Sequence, residues 1–362
     1  MKMNSDSIAI NGRFLSQPIT GVQRYAFELL GCLDCLLSAN SLPQVPVTVF
    51  VPKSAASIPR YSFLQIRQVG SREGRIWEQV DLPSYCRGSV LFTPCGGAPI
   101  MHDRHIITIH DAGPFSTPEA YRLPYRVYYR ALQRYLARKA LHILTVSEFS
   151  RRELMRVLPV EEKRISCAHL SGEHVLRFER SPEILSRHNL VRGAYVLGVS
   201  SANPNKNFAG LMKAARRLDA SGIPVVIAGN TNSRVFGGSD DVPGCIRQTG
   251  FVTDAELRTL YENAGCLAFP SFYEGFGLPP LEALTVGCPV VVSNTSSLPE
   301  VFGNAATYCN PYSPEDIALR ISQVMHGRHP ARQIAQTHAE SFRWEMCART
   351  TWKILLGATS SI

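Results

Sequence analysis

Short apolar runs recur along this chain, each followed by a turn-rich stretch and then by a segment with helical spacing. Residues 7–10, 45–51, 90–92, 105–109 and 141–146 read as buried strands in the first half. Residues 195–199, 225–228, 266–269 and 290–292 do the same in the second half. Val22, Tyr25, Ala26, Leu29, Leu30 and Leu33 recur at helical spacing, with Thr20 or Gly21 as the cap and the helical run reaching Leu37. Further helices are expected over 121–140, from Ser150 to about 158, along Phe208, Leu211, Met212, Ala215 and Leu218, and over 316–325 and 342–356. Ser150 with Glu153, and Thr253 with Glu256, have capping-box spacing. Strands alternating with helices in both halves predict an α/β protein of two doubly wound, Rossmann-like domains. The polar stretch 171–192 has weak periodicity and is expected to hold the linker, giving domains of 1–175 and 176–342.

The densest chemistry lies in 264–300. A strand, 266–269, leads into a turn with Glu274, Gly275, Phe276 and Gly277. A helix then opens at Pro279 and Pro280, where a missing amide costs nothing, and Gly287 closes it. Glycine backbone lets a ligand approach closely, and a helix start offers unpaired amides to negative charge. Glu274 and Glu282 flank the turn; a carboxylate accepts two hydrogen bonds side by side, which suits the vicinal diol of a ribose or hexose. Earlier, Lys206 and Asn207 occupy a strand-to-helix turn, where a positive charge at a helix start suits a diphosphate. His110 and Asp111 end a strand; they face the crevice of such a fold, or else Asp111 caps the next turn and His110 is a satisfied polar group.

Composition narrows the field. The 362 residues are 45% hydrophobic and 19% charged, which fits two packed cores. No run is apolar enough to span a bilayer, and the opening MKMNSDSIAINGR lacks a signal-peptide core, so a cytosolic protein is expected. The ten cysteines sit mostly in apolar segments, as reduced thiols do. Cys32 and Cys35 lie inside a helical run rather than opening a helix, which argues against a redox motif. Asp240 and Asp241 sit in a Gly/Ser loop and read as solvated, so no metal is expected.

Net charge is +9, and residues 1–180 carry 23 Lys and Arg against 15 Asp and Glu. An anionic partner for that half follows, and no nucleic acid is expected. Arg122, Arg126, Arg130, Arg134 and Arg138 recur every fourth residue among Tyr125, Tyr128, Tyr129 and Tyr135. Such a ridge meets a membrane surface or a lipid-linked diphosphate, or else its stems cover apolar surface.

The string from Glu274 to Ala283 resembles the Glu-x7-Glu signature of the family 4 retaining glycosyltransferases, whose fold is GT-B. Residues 204–208 resemble that family's diphosphate-lysine turn, residues 20–25 its N-terminal glycine loop, and His110 with Asp111 a pair found in several members. The resemblance implies two Rossmann-like domains facing a central cleft, with the final helix, 343–362, completing the first. It implies a hexose moved from a GDP- or UDP-sugar to a lipid-linked or oligosaccharide acceptor in surface polysaccharide synthesis, without a metal. The implied location is cytoplasmic or peripheral on the inner face of the plasma membrane. Lys206 would neutralise the diphosphate, Glu282 take the ribose, and Glu274 with the 276–278 amides hold the hexose. Gly21 would line the donor, His110 would touch the hexose, and Asp111 would orient or deprotonate the acceptor hydroxyl. Many members carry an arginine about six residues before the lysine; Ser200 and Ser201 stand near there, and Arg234 is the expected substitute.

Other readings of the same units stay open. A nicotinamide dehydrogenase needs a third glycine that 275–280 lacks. A nucleotide-sugar epimerase or hydrolase, or a non-catalytic sugar binder, fits the same fold.

Overall fold

The structure is a computed structural model that describes residues 7–55, 58–199, 203–219, 222–229 and 246–359. Ser200, Ser201, Arg234, Asp240 and Asp241 lie outside the described residues, and so does the expected role of Arg234. The chain divides into two units, Met1–Leu170 with Trp344–Ile362, and Ser171–Arg343.

The first unit is built on seven parallel strands in the order β3-β2-β1-β4-β5-β6-β7. They are β1 (Ile8–Asn11), β2 (Val47–Val51), β3 (Gln65–Gln68), β4 (Val90–Thr93), β5 (His105–Thr108), β6 (His142–Thr145) and β7 (Ile165–Cys167). β1, β2, β4 and β5 are buried at every position, which is why they read as unbroken apolar runs. The Gly21–Ser38 helix packs against the Trp344–Thr359 helix. Trp352 of the latter is fully buried and donates its indole N–H to the Pro43 carbonyl. Leu132, Leu136 and Ala137 of the Leu123–Lys139 helix join Ile107, Ile143, Leu154 and Ile165 in one core.

The second unit repeats the design with six parallel strands, ordered β10-β9-β8-β11-β12-β13. These are β8 (Val196–Val199), β9 (Val225–Ala228), β10 (Ile246–Gly250), β11 (Cys266–Phe269), β12 (Val290–Ser293) and β13 (Thr307–Cys309). Phe208, Leu211, Ala215 and Leu218 fill one face with Val225, Ile227, Ile317 and Ile321. In both sheets the order reverses beside the first strand, so the loops after β1 and β4, and after β8 and β11, border the usual ligand crevice.

Three expectations shift. The cap of the Glu148–Val157 helix is Ser147, whose side chain accepts from the Ser150 amide, and not Ser150. The second unit begins at Ser171 rather than 176. Ser171 donates to the Phe342 carbonyl, and Gly172 lies so close to the Leu281 backbone that an added Cβ would come within 2.7 Å of it. Strands β3, β7, β10 and β13 were not expected; β3 and β10 are half-exposed edges rich in polar residues, where apolar periodicity is weakest.

Candidate active site

In the second unit, the loop after β8 carries Lys206 and the loop after β11 carries Glu274. The Lys206 Nζ donates to both Glu274 oxygens, at 2.7 and 3.0 Å, and lies 4.8 Å from the centre of the Phe269 ring. Both side chains are mostly buried, 25% exposed for Lys206 and 11% for Glu274. The Glu274 backbone is clamped by the loop after β12: Ser296 Oγ accepts its amide and Ser297 Oγ donates to its carbonyl. Ser296 holds a left-handed φ of 56°, a strained setting for a serine. Ser271 and Ser293, at the ends of β11 and β12, are fully buried, and their hydroxyls have no partner among the described residues.

Glu282 sits in the Leu278–Thr285 helix and is 7% exposed. His174 Nε2 donates to one carboxylate oxygen at 2.9 Å, and Tyr261 donates its hydroxyl to the other at 2.9 Å. Burial first, and then the Glu282 charge, hold the Tyr261 hydroxyl well above its ordinary pKa, so it stays a donor. Neither His174 nor Tyr261 was singled out from sequence.

Two expected ligand contacts also have structural duties. Asn207 adopts a left-handed φ of 51° and is 4% exposed. Its amide donates to the Pro270 and Pro311 carbonyls, and its oxygen accepts from the Gly210 amide, so its donors are spent on tying loops together. Gly277 has φ +100°, and a Cβ there would lie 2.7 Å from Leu298. Its lack of a side chain serves that packing as well as any ligand. Phe276 is buried edge-on to Phe342, Leu278 opens the helix, and Gly275 is buried in the turn.

In the first unit, His110 and Asp111 follow β5. His110 Nε2 donates to the Pro94 carbonyl at 3.0 Å, and Tyr25 meets the ring edge-on. Burial lowers its pKa to about 4, against the opposing Pro94 bond, so the ring is neutral with Nδ1 as acceptor. Asp111 accepts from the Gly113 amide at 2.7 Å, the capping role that was one of its two readings. Gly21 opens its helix in exposed surroundings, behind Thr20, whose amide donates to Gln23. A buried cluster in the same unit was missed in the sequence: Asn11 and Arg13 both donate to one Glu78 oxygen, at 2.7 and 3.0 Å.

The arginine ridge divides. Arg126 and Arg130 turn inward onto the Pro114, Phe115 and Pro118 carbonyls, and Arg130 and Arg134 lie over the Phe115 ring. Arg122, Arg134 and Arg138 remain exposed, with Leu123 and Val127 more than half exposed nearby. The row therefore presents three exposed arginines, because two satisfy carbonyls of the Gly113–Ser116 and Pro118–Ala120 turns. Among the described residues, no helix is long and apolar enough to cross a membrane.

Comparison with known proteins bears on this arrangement. Residues 182–341 match the family described as glycosyl transferases group 1, and residues 39–170 match glycosyltransferase family 4. The chain is 31% identical to an O-antigen chain mannosyltransferase B of Escherichia coli, over 93% of this chain and 96% of that protein. It is 29% identical to the O-antigen chain mannosyltransferase RfbU of Salmonella typhimurium, over 57% of this chain and 56% of that one. The fold is shared with WaaG, a glycosyltransferase of lipopolysaccharide biosynthesis, at a TM-score of 0.71 and 13% identity over 97% and 99% of the chains. It is shared also with Anabaena HepE, solved with UDP and glucose, at 0.68 and 14% over 97% and 99%. Two parallel Rossmann-like sheets, both family matches and a relative aligned along nearly its whole length lead to one conclusion: the chain belongs to the family 4 glycosyltransferases, with the GT-B fold.

Proposed function

We propose that this glycosyltransferase moves a hexose, mannose before glucose, from a nucleoside-diphosphate sugar to a glycan or lipid-linked acceptor in surface polysaccharide synthesis. The transfer retains anomeric configuration and needs no metal. The single observation that carries the reading is the Lys206–Glu274 pair at the loop edge of the second sheet, with Glu282 held rigidly beside the same turn.

The departing diphosphate must be stabilised, and preorganised positive charge does so most effectively in a site shielded from water. Lys206 supplies that charge once it exchanges Glu274 for phosphate oxygens. Glu274, released, accepts hydroxyls of the hexose, and the Leu278 amide with the dipole of the Leu278–Thr285 helix faces the negative charge. Glu282 takes the ribose diol. In the other unit, neutral His110 offers an acceptor nitrogen to the hexose, and Asp111 orients the acceptor hydroxyl.

The choice of mannose rests on the two O-antigen mannosyltransferases that the chain resembles. Arg122, Arg134 and Arg138, with exposed Leu123 and Val127, suit contact with an anionic bilayer at a cytoplasmic membrane face. Sedimentation with phosphatidylglycerol vesicles tests that part: Arg134→Glu with Arg138→Glu should abolish binding, and undiminished binding would remove the ridge from the account.

A thermal-shift panel of GDP-mannose, GDP-fucose, UDP-glucose and UDP-galactose, followed by transfer assays in EDTA, tests the main reading. GDP-mannose should stabilise the protein and support transfer. No shift with any donor would overturn the reading, and sugar release without an acceptor would favour a hydrolase.

A further inference from the structure

Both oxygens of Glu282 are held, each by a separate, buried protein donor. His174 is 2% exposed and comes from the Glu173–Arg177 turn at the start of the second unit. Tyr261 is 0% exposed and comes from the Asp254–Asn263 helix. Three separate segments thus converge on one carboxylate. An arrangement so buried has to be worth its desolvation, since two charge-assisted hydrogen bonds fix a group that water would otherwise solvate.

We infer that His174 and Tyr261 are positioning residues that aim Glu282 and make the site selective for a ribose bearing both vicinal hydroxyls. A carboxylate has roughly four lone-pair positions, and the two donors occupy one on each oxygen. One position per oxygen stays available, so the remaining acceptors are presented as a pair and in a fixed plane. A vicinal diol, with two donors side by side, satisfies both; a lone hydroxyl leaves a buried lone pair unpaired, which is costly. Without its two donors the carboxylate can rotate, and the pair of acceptors loses its fixed direction.

Local packing supports this geometry. The His174 turn reaches the Leu278–Thr285 helix only because residue 172 is glycine; a Cβ there would lie 2.6 Å from Thr285 Oγ1 and 2.7 Å from the Leu281 carbonyl oxygen. Ser171, whose hydroxyl accepts the Glu173 amide and donates to Phe342, pins the same turn from behind. His174 also packs edge-on to Phe178. The imidazole therefore has little freedom to leave Glu282.

The inference rests on the proposed nucleotide-sugar site, and the test separates the two. Calorimetry would compare GDP with 2′,3′-dideoxy-GDP, and UDP with 2′,3′-dideoxy-UDP, on the full chain. Wild type is expected to prefer the ribonucleotide by about tenfold or more, the worth of one or two hydrogen bonds to a charged group. Tyr261→Phe and His174→Leu should each erase most of that preference by weakening only the ribonucleotide, while dideoxynucleotide binding stays within about twofold. His174→Gln, which keeps a donor near the same place, should restore much of it. In turnover, Tyr261→Phe should raise KM for the sugar nucleotide and leave kcat near wild type. A variant that weakens ribo- and dideoxynucleotide equally, or keeps the wild-type preference, would overturn the positioning role. Failure of the wild type to bind either nucleoside diphosphate would instead overturn the nucleotide-sugar site, and this inference with it. Should both first variants fail to fold, Glu282→Gln against His174→Gln decides: equal loss of preference in the two contradicts the role.

Discussion

The two units share a strand order yet dispose of their polar groups differently. In the second, the site's charges are paired across long sequence separations: Lys206 with Glu274, and Glu282 with His174 and Tyr261. In the first, the corresponding loop groups are satisfied close by. Asp111 bonds the amide two residues on, and His110 bonds the carbonyl of Pro94, just past the neighbouring strand β4. A long-range buried charge cluster there joins Asn11, Arg13 and Glu78. Paired acids and bases that a ligand can separate make a binding site; locally satisfied groups make a shaped surface. The difference is why the second unit carries the proposed grip on the donor.

Breaking the grip should have the largest effect. Lys206→Ala should lower kcat/KM for the sugar nucleotide by about a hundredfold to a thousandfold, the usual cost of losing one preorganised stabilising group. Steady-state assays with a varied donor check it. The loss should appear with every donor that the enzyme accepts, because the diphosphate is common to all.

A purely structural lesion in the same unit sharpens the contrast. Asn207→Ala removes three buried hydrogen bonds and places alanine at a left-handed φ, so it should cost about 2–4 kcal/mol of stability. Denaturant unfolding should show an earlier transition, with donor affinity little changed under native conditions. A large change in donor affinity at full foldedness would return Asn207 to the ligand site.

The smallest effect belongs to the first unit. His110 is held neutral, with its pKa lowered from 6.5 to about 4 by burial. Above pH 6.5 the ring is neutral in both folded and unfolded chains. Below it the unfolded chain takes up a proton that the folded one refuses, so stability falls between pH 6.5 and about 4. His102, His105 and His142, also lowered by burial, steepen the same slope. Thermal melts across that range should show His110→Phe with a shallower decline than wild type.

Much of this was legible in the residues. The strands that are buried on both faces announce themselves, and 225–228 and 266–269 match the structure to the residue. Lys206, Glu274 and Glu282 stand out because charge beside a glycine-rich turn between an apolar strand and a helix suits a ligand, and the structure pairs Lys206 with Glu274. Asn207 and Gly277 are harder to read: a left-handed turn residue looks alike whether it serves a ligand or a neighbouring helix. The arginine row was left between two readings because spacing along a helix cannot show that Arg126 and Arg130 bend back onto nearby carbonyls. His174 was illegible, since it reaches Glu282 across 108 residues and no local pattern encodes that meeting.

The central claim is that Lys206 is the diphosphate's anchor and that Glu274 guards it until the donor arrives. The most direct measurement is calorimetric binding of GDP and UDP to Glu274→Gln beside wild type. With the guard neutralised, the nucleoside diphosphate that wild type prefers should bind about tenfold more tightly, the worth of one charge-assisted bond no longer broken, while sugar transfer collapses. Unchanged or weaker diphosphate binding in Glu274→Gln would contradict the account.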